Sequence, residues 1–146
     1  MRALIQRVRK ASAEIPGSCS SVSAGLLVLL GVKKGDTRDD AEYLADKTLN
    51  LRIFEKIPGR MDYSLKDIRG DILAVSQFTL YADTRRGRRP GFSEAARADE
   101  AVELFEYFTE CLKASSLTVK KGYFGRHMLL NIENDGPVTI MIESSK

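Results

Sequence analysis

The run Leu26-Leu27-Val28-Leu29-Leu30-Gly31-Val32 limits the possible folds more than any other stretch. It holds no polar residue and is strand-sized, so it reads as a β-strand buried on both faces. The remaining strands follow from alternation and turn chemistry. Arg2 to Ile15 alternates Leu4, Gln6, Val8 and Lys10 against Ile5, Arg7 and Arg9, which predicts an edge-like strand. Asp71 to Ala82, Leu117 to Lys121, Met128 to Ile132 and Val138 to Ile142 are further strand segments. Pro16-Gly17-Ser18, Lys34-Gly35-Asp36 and Ile57-Pro58-Gly59-Arg60 are turns.

Only two stretches carry helical spacing. Ala41, Leu44, Ala45, Thr48 and Leu49 predict a helix over Arg38 to Leu51, with Thr37 as N-cap and Asp39 and Asp40 in the first turn. Ser93 is the expected N-cap of the second, whose buried face is Ala98, Ala101, Val102, Phe105, Phe108 and Leu112. Ser115-Ser116 ends it. So many strands with so few helices do not make a doubly wound sheet. The expectation is an α+β fold: an antiparallel-rich sheet curled into a barrel or sandwich, with two main helices outside. Residues 1–146 read as one domain.

Composition excludes several classes. An apolar fraction of 43% is ordinary for a globular chain, and no run approaches a membrane span. The opening MRALIQRVRKASAEIPG has no apolar core followed by a cleavage site, so a cytoplasmic protein is expected. Cys19 and Cys111 are far apart and form no CxxC, which predicts free thiols. His127 is the one histidine, and no Cys/His cluster or HExxH is present, so neither metal nor cofactor is expected. The net charge of +3 says little, but Thr84-Arg85-Arg86-Gly87-Arg88-Arg89-Pro90 concentrates Arg85, Arg86, Arg88 and Arg89 in one loop.

Each candidate for chemistry also has a bland explanation. Ser76-Gln77-Phe78-Thr79 turns an apolar strand abruptly polar, as at a site or where a strand enters solvent. The arginine loop has one nearby acid, Asp83. Phosphate is the natural partner of guanidinium groups, and a solvated basic loop is the alternative. His127 has no nucleophile beside it. The acid pairs Asp39/Asp40, Asp99/Glu100 and Glu133/Asp135 sit at helix starts or turns. Asn134-Asp135-Gly136-Pro137 lies between two alternating runs, where a hairpin turn is expected. Pro137 would deny that hairpin a donor.

Taken together the pieces resemble one family. Met1-Arg2-Ala3-Leu4-Ile5-Gln6-Arg7-Val8, Leu26 to Thr37, Leu49-Asn50-Leu51-Arg52-Ile53-Phe54, Val75-Ser76-Gln77-Phe78-Thr79-Leu80-Tyr81 and Asn134-Asp135-Gly136-Pro137-Val138-Thr139 are similar, in this order and spacing, to the D-aminoacyl-tRNA deacylases of the bacterial and eukaryotic type. The resemblance covers essentially the whole chain. It implies a homodimer acting on the acceptor end of aminoacyl-tRNA, with no metal or cofactor and no membrane. It implies hydrolysis of the aminoacyl ester at Ser76, Gln77, Phe78 and Thr79. It also implies a cis Gly136-Pro137 pair that enters the partner's pocket and rejects L-residues, oriented by Arg7. Mischarged glycine would be a further substrate. Arg85, Arg86, Arg88 and Arg89 are the expected tRNA contacts. The rival is a nucleic-acid-binding module that uses those arginines without chemistry. Two departures from the family pattern stand near the expected pocket, Gly91 in Pro90-Gly91-Phe92 and Arg126-His127 in Phe124-Gly125-Arg126-His127-Met128.

Overall fold

A computed structural model of the chain describes residues 1–144. In chain order they form β1 (Arg2–Ile15), β2 (Ser18–Val22), β3 (Gly25–Gly31), α1 (Arg38–Asn50), β4 (Phe54–Ile57), β5 (Arg60–Tyr63), α2 (Leu65–Ile68), β6 (Asp71–Ser76), a 3-10 turn (Phe78–Tyr81), α3 (Ala98–Lys113), β7 (Val119–Lys121) and β8 (Leu129–Glu143). The main sheet runs β2-β1-β3-β6-β7, and β8 also pairs β1. Pairs of β1 with β2, β3 and β8 are antiparallel, whereas β3–β6 and β6–β7 are parallel. The sheet is therefore mixed, nearly closed around β1, and the fold is α+β as expected.

Strand alternation divides this sheet between two cores. Ala3 and Ile5 of β1, Leu26, Val28 and Leu30 of β3, and Ile72 and Ala74 of β6 face the helices. There they meet Leu44 and Leu49 of α1 and Leu104, Phe105, Phe108 and Leu112 of α3. The intervening residues Val8, Leu27, Leu73 and Val75 turn the other way and pack with Ala11, Ala13 and Val22. This is why the 26–32 run is apolar without interruption. Phe108 lies fully buried at the centre of the helix-side core. Phe108→Ala is expected to cost about 3–5 kcal/mol, read as a lower urea midpoint.

Several expectations need correction. β1 is not an edge strand: β8 pairs it from Arg2 to Glu14, and β3 and β2 take successive parts of its other side. Its charged residues mislead because Arg7, Arg9 and Lys10 gather where the β1–β8 register shifts twice. The strand from Asp71 stops at Ser76 rather than Ala82, because the chain turns into the 3-10 segment. Ser93 does not cap α3, which begins at Ala98 after Arg97. Ser93 and Glu94 instead form a turn, and the chain from Glu94 to Ala96 is pinned to the segment after β3, with Lys34 N–H donating to Glu94 O and Ala96 N–H to Val32 O. The segment expected over Leu117 to Lys121 shortens to Val119–Lys121.

The largest correction is at Gly136-Pro137. No hairpin forms there. Leu129 to Glu143 is a single strand, with Asn134 opposite Val8 and Thr139 opposite Gln6. Asp135 to Val138 thus bulge out opposite Arg7 alone. The hairpin β4–β5 and the short helix α2 carried no clear sequence signal beyond the turn at Pro58-Gly59. Cys19 is exposed, Cys111 is half-buried, and both are free. No described helix is long and apolar enough to cross a membrane.

Candidate active site

The parallel strands β6 and β7 release the chain at one end of the sheet, where open α/β sheets characteristically bind ligands. A cavity of about 610 Å³ lies there. Val75, Ser76, Gln77 and Phe78 form one wall and Phe124 to Met128, after β7, another. Ala96, Ala98 and Ala101, around the start of α3, make a third. Their short side chains leave the volume open.

The turn after β6 supplies the polar edge. Gln77 N–H makes a last sheet bond to Leu30 O at 2.8 Å, then the backbone tightens, with Leu80 N–H donating to Gln77 O at 3.3 Å. Gly31 permits this close approach, since a Cβ there would lie 3.1 Å from Leu80 Cβ and 3.2 Å from Gln77 O. The N–H groups of Phe78 and Thr79 open the turn and have no backbone acceptor among the described residues. Two free amide donors beside a cavity can stabilise an oxyanion. Phe78 is 54% exposed, and its ring meets Phe92 edge-on with centroids 5.0 Å apart.

Thr79 is exposed and is not part of the cavity wall. Its hydroxyl accepts a hydrogen bond from Gln77 Nε2. No carboxylate or imidazole hydrogen-bonds to it among the described residues, so a base for a threonine nucleophile is absent there. His127 is exposed on the rim. Among the described residues no group of three His, Cys, Asp or Glu side chains converges as a metal site would require.

Arg7 organises the β8 bulge. It is 7% exposed, and it donates from Nε to Asp135 O at 3.0 Å and from Nη1 to Ile53 O at 2.6 Å. Asp135 Oδ2 stands 3.7 Å from Nε. Val138 N–H donates to Asn134 Oδ1 at 3.1 Å, and Asn134 Nδ2 donates to Thr139 Oγ1 at 3.0 Å, closing the bulge from within. Gly136 has φ +133, a conformation side-chain-bearing residues rarely adopt. A Cβ there would lie 2.8 Å from Val138 Cγ2 and 3.0 Å from Arg7 Nη2. The Gly136-Pro137 bond is cis. Both residues are exposed, and neither lines the cavity of its own chain.

A family model described as D-Tyr-tRNA(Tyr) deacylase matches residues 4–143. The chain belongs to this family. Membership makes it a hydrolase acting on ester bonds. A D-aminoacyl-tRNA deacylase of Thermosipho melanesiensis is 53% identical over 148 residues, covering 100% of this chain and 99% of the relative. One from Aquifex aeolicus is 54% identical, covering 99% and 98%. A solved structure described as a c-Myc DNA unwinding element binding protein superposes with a TM-score of 0.92 at 39% identity, over all of both chains. Another, of a probable eukaryotic D-amino acid tRNA deacylase, shares the fold at a TM-score of 0.82 and 18% identity, covering 97% and 98%.

In this deacylase the arginine loop stands beside the cavity. Asp83 and Gly91 close its base by mutual backbone bonds of 2.7 and 2.8 Å, and Phe92, the next residue, touches Phe78. Gly87, at φ +70, turns its tip. Arg85 is folded back onto Asp83, with bonds of 2.9 and 2.8 Å that hold the carboxyl down at about 2. Arg86, Arg88 and Arg89 are exposed and make no ion pair among the described residues. The cavity's alanine wall and the contact of Phe124 with Phe105, 6.1 Å between centroids, were not read from sequence as parts of a site. The second wall was signalled only through the resemblance, by Arg126-His127 within Phe124-Gly125-Arg126-His127-Met128.

Proposed function

We propose that this deacylase hydrolyses the ester joining a D-amino acid to the terminal adenosine of tRNA, and glycine where it is misattached. The observation that carries the reading is the pair of unpartnered amides, Phe78 N–H on the cavity wall and Thr79 N–H next to it in the turn. The ester carbonyl oxygen would point at them. A water adds to the acyl carbon, and charge gathers on that oxygen while the amides stabilise it. The acyl carbon–oxygen bond to the ribose then breaks. The ribose oxygen takes the water's proton, leaving a free amino acid and a tRNA hydroxyl. Ser76 and Gln77 shape the wall around the reacting ester. The neighbouring ribose hydroxyl and the main chain orient the water, so Thr79 need not attack. Thr79→Ala should therefore retain single-turnover activity within about tenfold, whereas loss of the nucleophile in a covalent mechanism would cost thousands-fold or more.

Chirality would be set by a second copy of the chain. Gly136 and Pro137 are exposed at the β8 bulge and lie outside their own chain's cavity, so they can wall a pocket only in a partner. A partly exposed apolar row supports a homodimer: Leu29 and Leu4, both half-buried, sit in register with Met141 across β3, β1 and β8, and Met141 is 44% exposed. Against such a wall an L side chain collides, while a D side chain or glycine does not. Sedimentation of the purified protein should give a dimer. A monomer with full D-selectivity would contradict the shared site.

Arg86, Arg88 and Arg89, with Arg85 braced by Asp83, would meet phosphates of the acceptor end in the cytoplasm, and residues 1–146 would act as one unit. The second reading is nucleic-acid binding without chemistry, favoured by the same loop and by the likeness to a protein described as binding a DNA element. Incubation with D-tyrosyl-tRNA in the presence of a chelator decides between them. Loss of the ester supports the deacylase, and binding without loss supports the rival.

A further inference from the structure

We infer that Arg126 and His127 form a phosphate-binding lip on the cavity, engaging the phosphodiester on the 5′ side of the substrate's terminal nucleoside. The inference rests on the reading above that an aminoacyl ester of an RNA end occupies this cavity. Neither residue belongs to the arginine loop, which lines no part of the cavity and reaches it only through the contact of Phe92 with Phe78.

Three observations converge on this lip. First, no residue lining the cavity is acidic, and Arg126 is its one permanent charge. Apart from Ser76, Gln77 and His127 the other lining residues are apolar, with Phe78 and Phe124 offering rings to a flat base. Second, the Arg126 and His127 side chains are exposed and make no hydrogen bond or ion pair among the described residues. Their polar atoms are free for a ligand. Third, the segment that carries them is fastened. Gly122 N–H donates to Ala74 O at 2.8 Å, and Tyr123 Oη pairs with Ser18 Oγ at 2.6 Å. Phe124 packs into the helix-side core and Met128 against the opposite one. Arg126 N–H closes a turn onto Tyr123 O at 3.2 Å, around Gly125 at φ +67. The two side chains therefore project from a fixed turn.

Substrate chemistry supplies the match. A terminal nucleoside carries its acyl group on the 2′ or 3′ oxygen and its phosphodiester on the 5′ oxygen. With the ester at the Phe78 and Thr79 amides and the base on the apolar wall, one phosphate remains at the rim. Guanidinium takes phosphate by two parallel charge-assisted hydrogen bonds, and imidazole can add a third.

The test compares two substrates, D-tyrosyl-tRNA and the phosphate-free ester D-tyrosyl-adenosine. KM and kcat are measured for wild type, Arg126→Ala, Arg126→Lys and the double variant Arg126→Ala/His127→Ala. In the double variant KM for the tRNA ester is expected to rise about tenfold more than KM for the adenosine ester, with Arg126→Lys recovering part of the loss. The slope of log KM against log salt for the tRNA ester should fall by about one. Both side chains are exposed, and unchanged thermal unfolding would verify that the variants fold. An equal change on the two esters, or none on either, overturns the lip. A wild type that hydrolyses neither ester would instead defeat the deacylase reading itself, and the lip with it.

Discussion

Gly136→Ala is expected to reduce the ratio of kcat/KM for D- over L-tyrosyl-tRNA by about a hundredfold or more, chiefly by letting the L-ester react. The reason is local. At φ +133 a side chain is strained, and the new Cβ would sit 2.8 Å from Val138 Cγ2 and 3.0 Å from Arg7 Nη2. Something must move, and Arg7 is the group that fixes the bulge. The strain itself should cost about 1–3 kcal/mol of stability. Both kinetic constants and the urea midpoint should be measured on the same preparation. A variant that folds with the wild-type D/L ratio would mean that the bulge is not the chiral wall.

Arg7→Ala should have the largest effect on stability among substitutions near the site. It removes a buried guanidinium and leaves the carbonyls of Asp135 and Ile53 without this donor. A loss of about 2–4 kcal/mol is expected from urea unfolding. Arg7→Lys should recover only part of it. A single ammonium does not reproduce the fork that reaches Asp135 O at 3.0 Å and Ile53 O at 2.6 Å together. Selectivity should fall with stability across the two variants, because the same bonds aim Gly136. Full discrimination in a destabilised Arg7→Ala protein would separate the two roles and remove Arg7 from the selectivity account.

What could be read in advance follows from how local each cause is. The strand at Leu26 to Leu30 follows from a continuous apolar run and the helix from Arg38 from helical spacing, and the structure has both. The position of β1 was not legible, since pairing on both sides depends on β8, more than a hundred residues away. Its arginines and lysine suggested an edge because a bulge tolerates charge much as an edge does. Ser93 is a sound N-cap in isolation, but Glu94 and Ala96 are claimed by backbone bonds to Lys34 and Val32. The same holds at Asn134 to Pro137, where alternating flanks signal a hairpin in any two-strand context. Only β1, running past both flanks, makes them one strand. Within the site, the Ser76 to Thr79 segment was legible as an abrupt polar end to an apolar strand. The 3-10 turn that frees two amides was not, because it depends on Gly31 of a neighbouring strand. The arginine loop was legible as a concentration of charge beside one acid, but Arg85's commitment to Asp83 appears only in three dimensions.

The most direct test of the account is single-turnover hydrolysis of D-tyrosyl-tRNA and L-tyrosyl-tRNA, side by side, with chelator present. Rapid loss of the D-ester with the L-ester intact is the predicted result. Equal loss of both esters, or of neither, would contradict it.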